Sequence, residues 1–166
     1  MLKQTIAAAV VVLMATAGLA AAKSQARVKG GTCPSINILS DATRITQFAN
    51  GAIDLKAEIR DPEIACTVKG GKANSNLSFW IKSAISPNSE VGARRVPYFI
   101  AIILEGQVIG KEIFDLELPF DADRKLMVKE KVARVDIPVA ADKTAEDYSV
   151  TIGFQLTPEQ ANYNRT

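Results

Sequence analysis

The chain has 166 residues and a nearly balanced charge, with 20 Lys and Arg against 18 Asp and Glu, and it contains no histidine. This length is typical of a single domain. Without histidine, the chain lacks the commonest transition-metal ligand and the usual general base near neutral pH. Ser-His-Asp and Cys-His catalytic sites are therefore excluded, and we expect a protein that is not an enzyme and holds no cofactor or metal ion.

The first 22 residues have the pattern of a secretory signal peptide. Lys3 is followed by an uncharged run, rich in Ala and Val, from Ile6 to Ala22, and Ala20 and Ala22 fit an Ala-x-Ala cleavage signal. The alternative is a retained membrane anchor, but the run is shorter and less apolar than the roughly 20 residues of a spanning helix. We therefore expect export to the periplasm or the outer envelope, with residues 1–22 removed and no membrane span in the mature chain.

Cleavage would leave a chain that is almost neutral. Residues 1–22 contain one basic residue and no acidic one, so 19 basic residues would remain against 18 acidic residues. A nearly neutral chain has no overall attraction to nucleic acid, and we expect no nucleic-acid partner. Two local basic segments remain, the pair Arg94 and Arg95 and the run from Arg124 to Lys131. The run is interrupted by Glu130 and is typical of a solvated strand face.

Cys33 and Cys66 are the two cysteines of the chain. Both follow the predicted signal peptide, so both should meet an oxidising compartment. Two cysteines allow a single intramolecular pairing, which would close a loop of about 33 residues. Two free thiols and an intermolecular bridge are the alternatives, and we favour the internal disulfide.

The first half of the chain reads as a flexible lead followed by strands. Residues 23–34 are polar and contain glycine, and they form the predicted lead. From Ile36 onward, apolar and polar residues alternate, which is the pattern of half-buried strands. The apolar positions of three such runs are Ile53, Leu55, Ala57 and Ile59; Ile64, Cys66 and Val68; and Leu77, Phe79 and Ile81. Turn signals at Asp61-Pro62 and Gly70-Gly71 separate these runs.

The second half continues in the same pattern. Tyr98 to Leu104 is apolar on both faces, as in a covered central strand, and Glu105-Gly106-Gln107 predicts a tight turn, so residues 96–118 read as a hairpin. Residues 126–139 form another strand whose apolar phase shifts midway, which predicts a bulge. In the last strand the apolar side chains all point one way: Tyr148, Val150, Ile152, Phe154 and Leu156.

About seven strands at this spacing, without βαβ units, predict an all-β fold. We expect a two-layer antiparallel sandwich of the immunoglobulin or fibronectin type III kind over residues 35–157. A C-terminal tail occupies residues 158–166. Pro158 and Glu159 suit the first turn of a short helix at the start of this tail.

Several segments resemble a known group of proteins. Cys33-Pro34-Ser35, Cys66, the segment GFQLTPEQ from Gly153 to Gln160 and the following Tyr163-Asn164-Arg165 are similar to uncharacterised exported and lipoprotein-like proteins of alphaproteobacteria. The resemblance covers roughly Cys33 to Arg165 and implies an exported location, but no activity. This chain departs from the lipoprotein-like members because no cysteine lies at the end of its apolar N-terminal run.

Three pairs of residues carry side chains of catalytic or metal-binding types: Asp115 and Glu117, Asp121 and Asp123, and Lys82 and Ser83. The first pair shares a strand face and has the residue types of a glycosidase. The second lies in a turn, where carboxylates can bind calcium. The third pair has the residue types of a Ser–Lys dyad, but its two side chains point to opposite faces of the strand. A polar outer face explains the first pair more simply, and ordinary turn chemistry explains the second, because the full pattern of a calcium-binding loop is missing.

The sequence contains more residues suited to binding a partner than residues suited to catalysis. The candidate interaction residues are Trp80, Arg94, Arg95, Tyr98, Tyr163 and Arg165. Trp80 lies opposite the apolar side of its strand, where an exposed tryptophan would be a contact anchor. The alternative is that it packs beneath a loop or a neighbouring strand. The next three residues form a candidate polar rim before the central strand. The last two belong to the tail, which would dock on the sandwich or engage a partner.

These observations together predict an exported cell-envelope sandwich that serves as a protein-binding or structural accessory module. Its expected partner is an envelope protein. The alternative is a small-ligand carrier or an enzyme that acts on an envelope polymer.

Overall fold

A computed structural model describes residues 27–29 and 33–165 of the chain. The predicted signal peptide, residues 1–22, and its cleavage site therefore lie outside the described residues. Within the described part, no helix is long and apolar enough to cross a membrane.

Two stacked sheets form the fold, which confirms the predicted all-β, two-layer sandwich. Sheet A contains, in spatial order, β1 (Arg27–Lys29), β4 (Ala52–Lys69), β5 (Lys72–Ile85) and β8 (Lys125–Pro138), and β3 (Arg44–Ala49) also pairs with β4. Sheet B contains β2 (Ser35–Ile38), β9 (Tyr148–Phe154), β6 (Gly92–Leu104) and β7 (Gln107–Phe120). Short 3-10 turns lie at Ser40–Ala42 and Ala145–Asp147, and helix α1 spans Pro158–Arg165. Neighbouring strands are antiparallel, except that β1 pairs with β4 and β2 pairs with β9 in parallel.

Alternation of side chains places one face of each central strand in the core between the sheets. Phe79 of β5, Tyr98 of β6 and Phe154 of β9 are among the largest fully buried side chains. The rings of Phe79 and Tyr98 meet edge to face with their centroids 5.3 Å apart, an arrangement that aromatic pairs favour. The inward positions predicted for the last strand are buried from Tyr148 to Phe154, so the alternation identified the core face of this strand correctly.

The turn predicted at Asp61-Pro62 is wrong, because β4 runs through these residues as one strand of 18 residues. Its pairing with β5 shifts register between Arg60 and Glu63. Asp61 has a positive φ of 48°, and Pro62 cannot donate a hydrogen bond to the ladder, so the two residues form a bulge. Because of the bulge, Ile59 and Ile64 both point into the core although they are five positions apart, an odd spacing that would place them on opposite faces of a regular strand.

The predicted hairpin and the predicted bulge are both present. Glu105 and Gly106 join β6 to β7 with positive φ angles of 50° and 78°, which is the backbone of a type I′ turn. In β8 the register against β5 shifts opposite Ser75 to Leu77. Arg134, with φ of 62°, lies at this shift and accounts for the change of apolar phase along the strand.

The predicted disulfide is present and joins the two sheets. Cys33 lies two residues before β2 of sheet B and Cys66 lies within β4 of sheet A, with their Cα atoms 5.6 Å apart. Upstream of the bridge, Arg27–Lys29 pairs with Glu63 to Ala65 of β4. This part of the predicted flexible lead is therefore a short edge strand.

A hydrogen bond on the opposite side of the sandwich connects the sheets a second time. Tyr98 Oη donates to Glu130 Oε1 of β8 at 2.9 Å. Burial of the hydroxyl, together with its contact with Glu130, raises the pKa of Tyr98 above its ordinary value. The expectation that Tyr98 contributes to a polar rim is wrong, because the alternation of β6 points it into the core, where it is 1% exposed.

Candidate functional site

The outer face of sheet A carries a dense group of basic side chains. Seven cations lie around Trp80 on the solvent side of its strands: Arg44, Lys56, Arg60, Lys82, Lys125, Lys129 and Lys131. Lys69, Lys72 and Asp136 lie on the same side at the far end of the strands. Two carboxylates, those of Glu58 and Glu63, lie among the seven cations. We call this surface the basic face. The whole chain has only two more basic than acidic residues, so the fold concentrates positive charge here.

The strand register explains why residues far apart in the sequence meet on this face. One row across the sheet contains Arg44, Glu58, Lys82 and Met127, and the next contains Thr46, Lys56, Ala84 and Lys125. Side chains directly opposite each other point to the same side of a sheet. Because adjacent strands are about 4.8 Å apart, Lys56 and Lys125 flank the small Ala84 at a backbone separation of roughly 10 Å. This leaves space for a ligand group between two ammonium groups.

One of these cations forms an ion pair within the described residues. Lys129 Nζ lies 3.0 Å from Glu63 Oε2, and Ser78 Oγ donates to the same carboxylate oxygen at 3.2 Å. The other six cations form no ion pair within 4.0 Å in the part of the chain that the structure describes. Like charges on one face raise the local positive potential, which attracts anions.

A groove of about 1210 Å³ lies over these two rows. Its floor includes Lys56, Lys82 and Lys125, and its wall includes Tyr163 and Asn164 of α1. Lys56 Nζ lies 6.0 Å from the centre of the Tyr163 ring. Small-molecule sites usually measure roughly 300–1,000 Å³, so the groove has room for several units of a polymer.

Helix α1, which forms the wall of the groove, has a capped N-terminus. The side-chain oxygen of Thr157 accepts from the backbone N–H of Gln160 at 3.3 Å, and Gln160 Oε1 accepts from the backbone N–H of Thr157 at 2.9 Å. This reciprocal pair is a capping box, and Pro158 occupies the first helical position, where its missing N–H is harmless. The helix predicted after Thr157 is therefore present.

Contacts with β3 hold this helix against the sandwich. Asn164 Nδ2 donates to the backbone carbonyl oxygens of Asp41 and Arg44 at 3.3 and 2.8 Å. The ring of Tyr163 packs edge-on against Phe48, with the centroids 5.4 Å apart. The tail thus docks on the sandwich, and Tyr163 contributes to the wall of the groove.

Trp80 lies in the middle of the basic face and is half-buried. Arg60 of β4 and Lys129 of β8 are its cross-strand neighbours, and Lys129 Nζ lies 5.8 Å from the centre of its ring. A second hollow, of about 360 Å³ and lined in part by Ser78 and Lys131, lies further along the strands. Trp80 separates the groove from this hollow, so an elongated ligand lying along the strands would cross its ring.

The three predicted arginines are not brought together. Arg94 Nε donates to Asp54 Oδ2 at 2.7 Å, and this largely buried hydrogen bond lowers the pKa of Asp54. Arg95 is exposed on the outer face of sheet B, with Nε 3.7 Å from Glu117 Oε2. Arg165 is exposed in the last turn of α1. The geometry therefore gives Arg94 a structural partner within the chain.

The pairs with catalytic or metal-binding side chains do not assemble into a site within the described residues. Asp115 is exposed on β7. The backbone N–H of Asp123 donates to Asp121 Oδ1 at 2.9 Å, which is ordinary turn chemistry. Ser83 is buried and donates to a backbone carbonyl of β8, while Lys82 lies on the opposite face, as predicted. No group of three or more His, Cys, Asp or Glu in the described residues is arranged to hold a metal ion.

The basic face is not evident in the sequence, because Glu130 interrupts the basic run from Arg124 to Lys131. Glu130 points inward to Tyr98, whereas Lys125, Lys129 and Lys131 alternate with it and point outward. The alternation of residues along β8 therefore already indicates that its lysines share one face. The contributions of β3, β4 and β5 depend on register, which the pattern does not contain.

No family model, curated protein or solved structure matches this chain. The immunoglobulin-like kind of sandwich and the resemblance to exported alphaproteobacterial proteins therefore stay predictions.

Proposed function

We propose that this protein is an exported binding module of the cell envelope that holds an acidic polysaccharide on its basic face. The proposal depends on one observation: seven cations and two carboxylates surround Trp80 on one exposed sheet surface. A concave surface with an excess of one sign of charge concentrates ligands of the opposite sign, and the groove is lined by four cations, Arg44, Lys56, Lys82 and Lys125, against the carboxylates of Asp41 and Glu58.

Export is supported by the disulfide between the two sheets. Structural disulfides persist in oxidising compartments such as the periplasm and are rare in the cytosol. Mass spectrometry of the protein isolated from its own cells tests this part of the proposal. We expect the chain to begin at residue 23, and a chain that begins at Met1 would instead support a retained anchor.

The shape of the basic face favours a polymer over a membrane surface. The wall formed by Tyr163 and Asn164 rises beside the floor of the groove, so a flat bilayer would not reach the cations on that floor. From Lys125 to Lys131 the cations extend along β8 by roughly 20 Å, at about 3.3 Å per residue. The rings of Trp80 and Tyr163 offer flat apolar faces next to these charges, which suits sugar rings that carry carboxylate or sulfate groups.

Intrinsic fluorescence gives a direct assay because Trp80 is the single tryptophan of the chain. Heparin serves as the acidic polysaccharide probe, and neutral dextran of similar size serves as its control. We expect a saturable change in emission with heparin, none with dextran, and weaker binding at higher salt, since added ions screen exposed charges. Absence of a response to heparin at low salt would contradict the proposal.

Paired substitutions show whether heparin binds at the basic face or is attracted by the overall charge of the protein. Lys82→Gln with Lys125→Gln should weaken heparin binding about tenfold or more and reduce its salt dependence by about one ion for each lysine. The control carries Lys69→Gln with Lys72→Gln, which changes the net charge equally at the far end of β4 and β5. Equal losses of heparin affinity in the two variants would argue against a defined site.

Other anionic ligands are tested in the same assay. If single-stranded DNA, anionic vesicles or an acidic protein bound more tightly than heparin, that ligand would replace the polysaccharide in the proposal.

A further inference from the structure

Within the described residues, β7 is an edge strand of sheet B whose middle part can pair with another chain. Its side chains Val108, Ile109 and Ile113 are 61%, 47% and 56% exposed. The strand has 14 residues and no proline before Pro119. β7 has a bulge at Ile109 near its start, where the register against β6 shifts, but the stretch from Gly110 onward pairs regularly with β6. The edge of β7 is therefore open to another strand.

The hydrogen bonds of β6 show which backbone groups of β7 face outward. The carbonyl oxygen of Pro97 accepts from the backbone N–H of Gln155 at 2.9 Å, so the backbone groups of Pro97 point away from β7. Asp115 lies opposite Pro97, and antiparallel pairs alternate between hydrogen-bonded and non-hydrogen-bonded. The N–H and C=O of Asp115 therefore point to the free edge, as do those of Ile113 and Lys111 at steps of two residues. In the described chain no backbone group outside sheet B bonds to these residues.

We propose that two copies of this chain form a dimer by antiparallel pairing of β7 about a two-fold axis at Ile113. In this register the exposed Ile113 meets Ile113 of the second copy, and Lys111 of each copy lies opposite Asp115 of the other. Lys111 Nζ donates to Gln155 Oε1 at 2.9 Å within one copy, so the exposed side chain exchanges this amide for the carboxylate on pairing. All three residues present outward backbone groups, so each forms a hydrogen-bonded pair. Opposite charges directly across two strands stabilise the pairing.

Other positions of the axis lose this complementarity. Moving the axis by one residue sets Ile113 against Asp115 or against Lys111. Moving it by two residues sets Lys111 or Asp115 against its own copy, and like charges opposite each other are destabilising. With the axis at Ile113, the regular stretch after the bulge at Ile109 pairs from Gly110 to Leu116, so Pro119 lies outside the paired stretch and its missing N–H does not interrupt the ladder.

The dimer would place the two basic faces on the same side. The two-fold axis of an antiparallel pair is perpendicular to the sheet, so sheet B continues from one copy to the other and each sheet A lies on the same side of it. If the proposed function holds, one polysaccharide chain can reach both faces and bind with higher avidity than to one. The pairing itself does not depend on that function.

Sedimentation velocity of the purified protein without polysaccharide tests the dimer. We expect a concentration-dependent dimer for the natural sequence and a monomer for Ile113→Lys, which sets two ammonium groups against each other. The control is Val91→Lys, because Val91 is 52% exposed in the loop before β6, and this variant should remain dimeric. A monomer at all concentrations of the natural sequence would overturn the proposal.

A charge exchange tests the register. Lys111→Asp and Asp115→Lys each create like-charged pairs on both sides of the axis, and each should raise the dissociation constant about tenfold or more. The double variant restores opposite charges and should recover most of the affinity. In one chain the two residues are four apart on an extended strand, so recovery requires contact between copies. A double variant as weak as the single variants would exclude this register.

A cysteine crosslink tests the distance at the axis. Hydrogen-bonded antiparallel partners have Cα atoms about 5.5 Å apart, which is within the range of a disulfide. Ile113→Cys should therefore give a covalent dimer on mild oxidation, and Val91→Cys should not. Equal crosslinking of the two variants, or none in either, would count against pairing at Ile113.

Discussion

Reduction of the Cys33–Cys66 disulfide should lower the free energy of unfolding by about 3.7 kcal/mol at 25 °C. The bridge joins residues 33 apart in the sequence. Its loop-closure entropy, 2.1 + 1.5R ln n with n of about 33, is about 12.5 cal/mol/K and is removed from the unfolded chain. Since 1 kcal/mol corresponds to roughly 3–5 °C for a domain of this size, the midpoint of thermal unfolding should fall by roughly 10–20 °C.

The structure also predicts where the reduced protein loosens first. Cys33 lies two residues before β2, which has four residues and, among the described strands, pairs with β9 alone at the edge of sheet B. The bridge to Cys66 holds the start of this short strand against β4. After reduction, hydrogen exchange should accelerate first at the amides of β2, while the central strands β5 and β6 keep their protection.

Urea unfolding followed by tryptophan fluorescence, with and without a phosphine reductant, measures the loss. A variant with Cys33→Ala and Cys66→Ala is the control, because it should unfold like the reduced protein and show no response to reductant. A loss below about 1 kcal/mol would refute the reasoning, since it would mean that the bridge does not restrict the unfolded chain.

Three further predictions concern single contacts. Gly153→Ala should destabilise the fold by about 1–3 kcal/mol in urea titrations, because the added Cβ would lie 2.8–3.0 Å from Ala42 and Phe99, whereas Gly110→Ala meets only ordinary contacts and should be mild. Tyr98→Phe should reduce the fall in the free energy of unfolding as the pH rises above 10. The raised pKa keeps Tyr98 protonated in the folded state at a pH where the unfolded chain loses this proton, and phenylalanine has no such proton. Arg94→Gln should weaken the loss of stability below pH 4, because Arg94 lowers the pKa of Asp54 in the folded state alone.

The sequence alone determined the elements whose cause is local. Alternation of apolar and polar residues identified the sandwich class and the inward positions of the last strand, because side chains of an extended chain point to opposite sides at successive residues. Glu105-Gly106 identified the hairpin, since both residues tolerate or favour positive φ. Two cysteines after a signal-peptide pattern identified the disulfide. Each inference needed only residues near one another or a single available pairing.

Only the tertiary structure decided what depends on register between distant segments. The bulge at Asp61-Pro62 was read as a turn, because the same residue types suit both and only the continuous pairing of β4 with β5 distinguishes them. Arg44, Lys82 and Lys125 meet on one face because β3, β4, β5 and β8 align them, although dozens of residues separate them in the chain. Register is set by packing of the whole core, so neither the basic face nor the open edge of β7 follows from any one stretch of sequence.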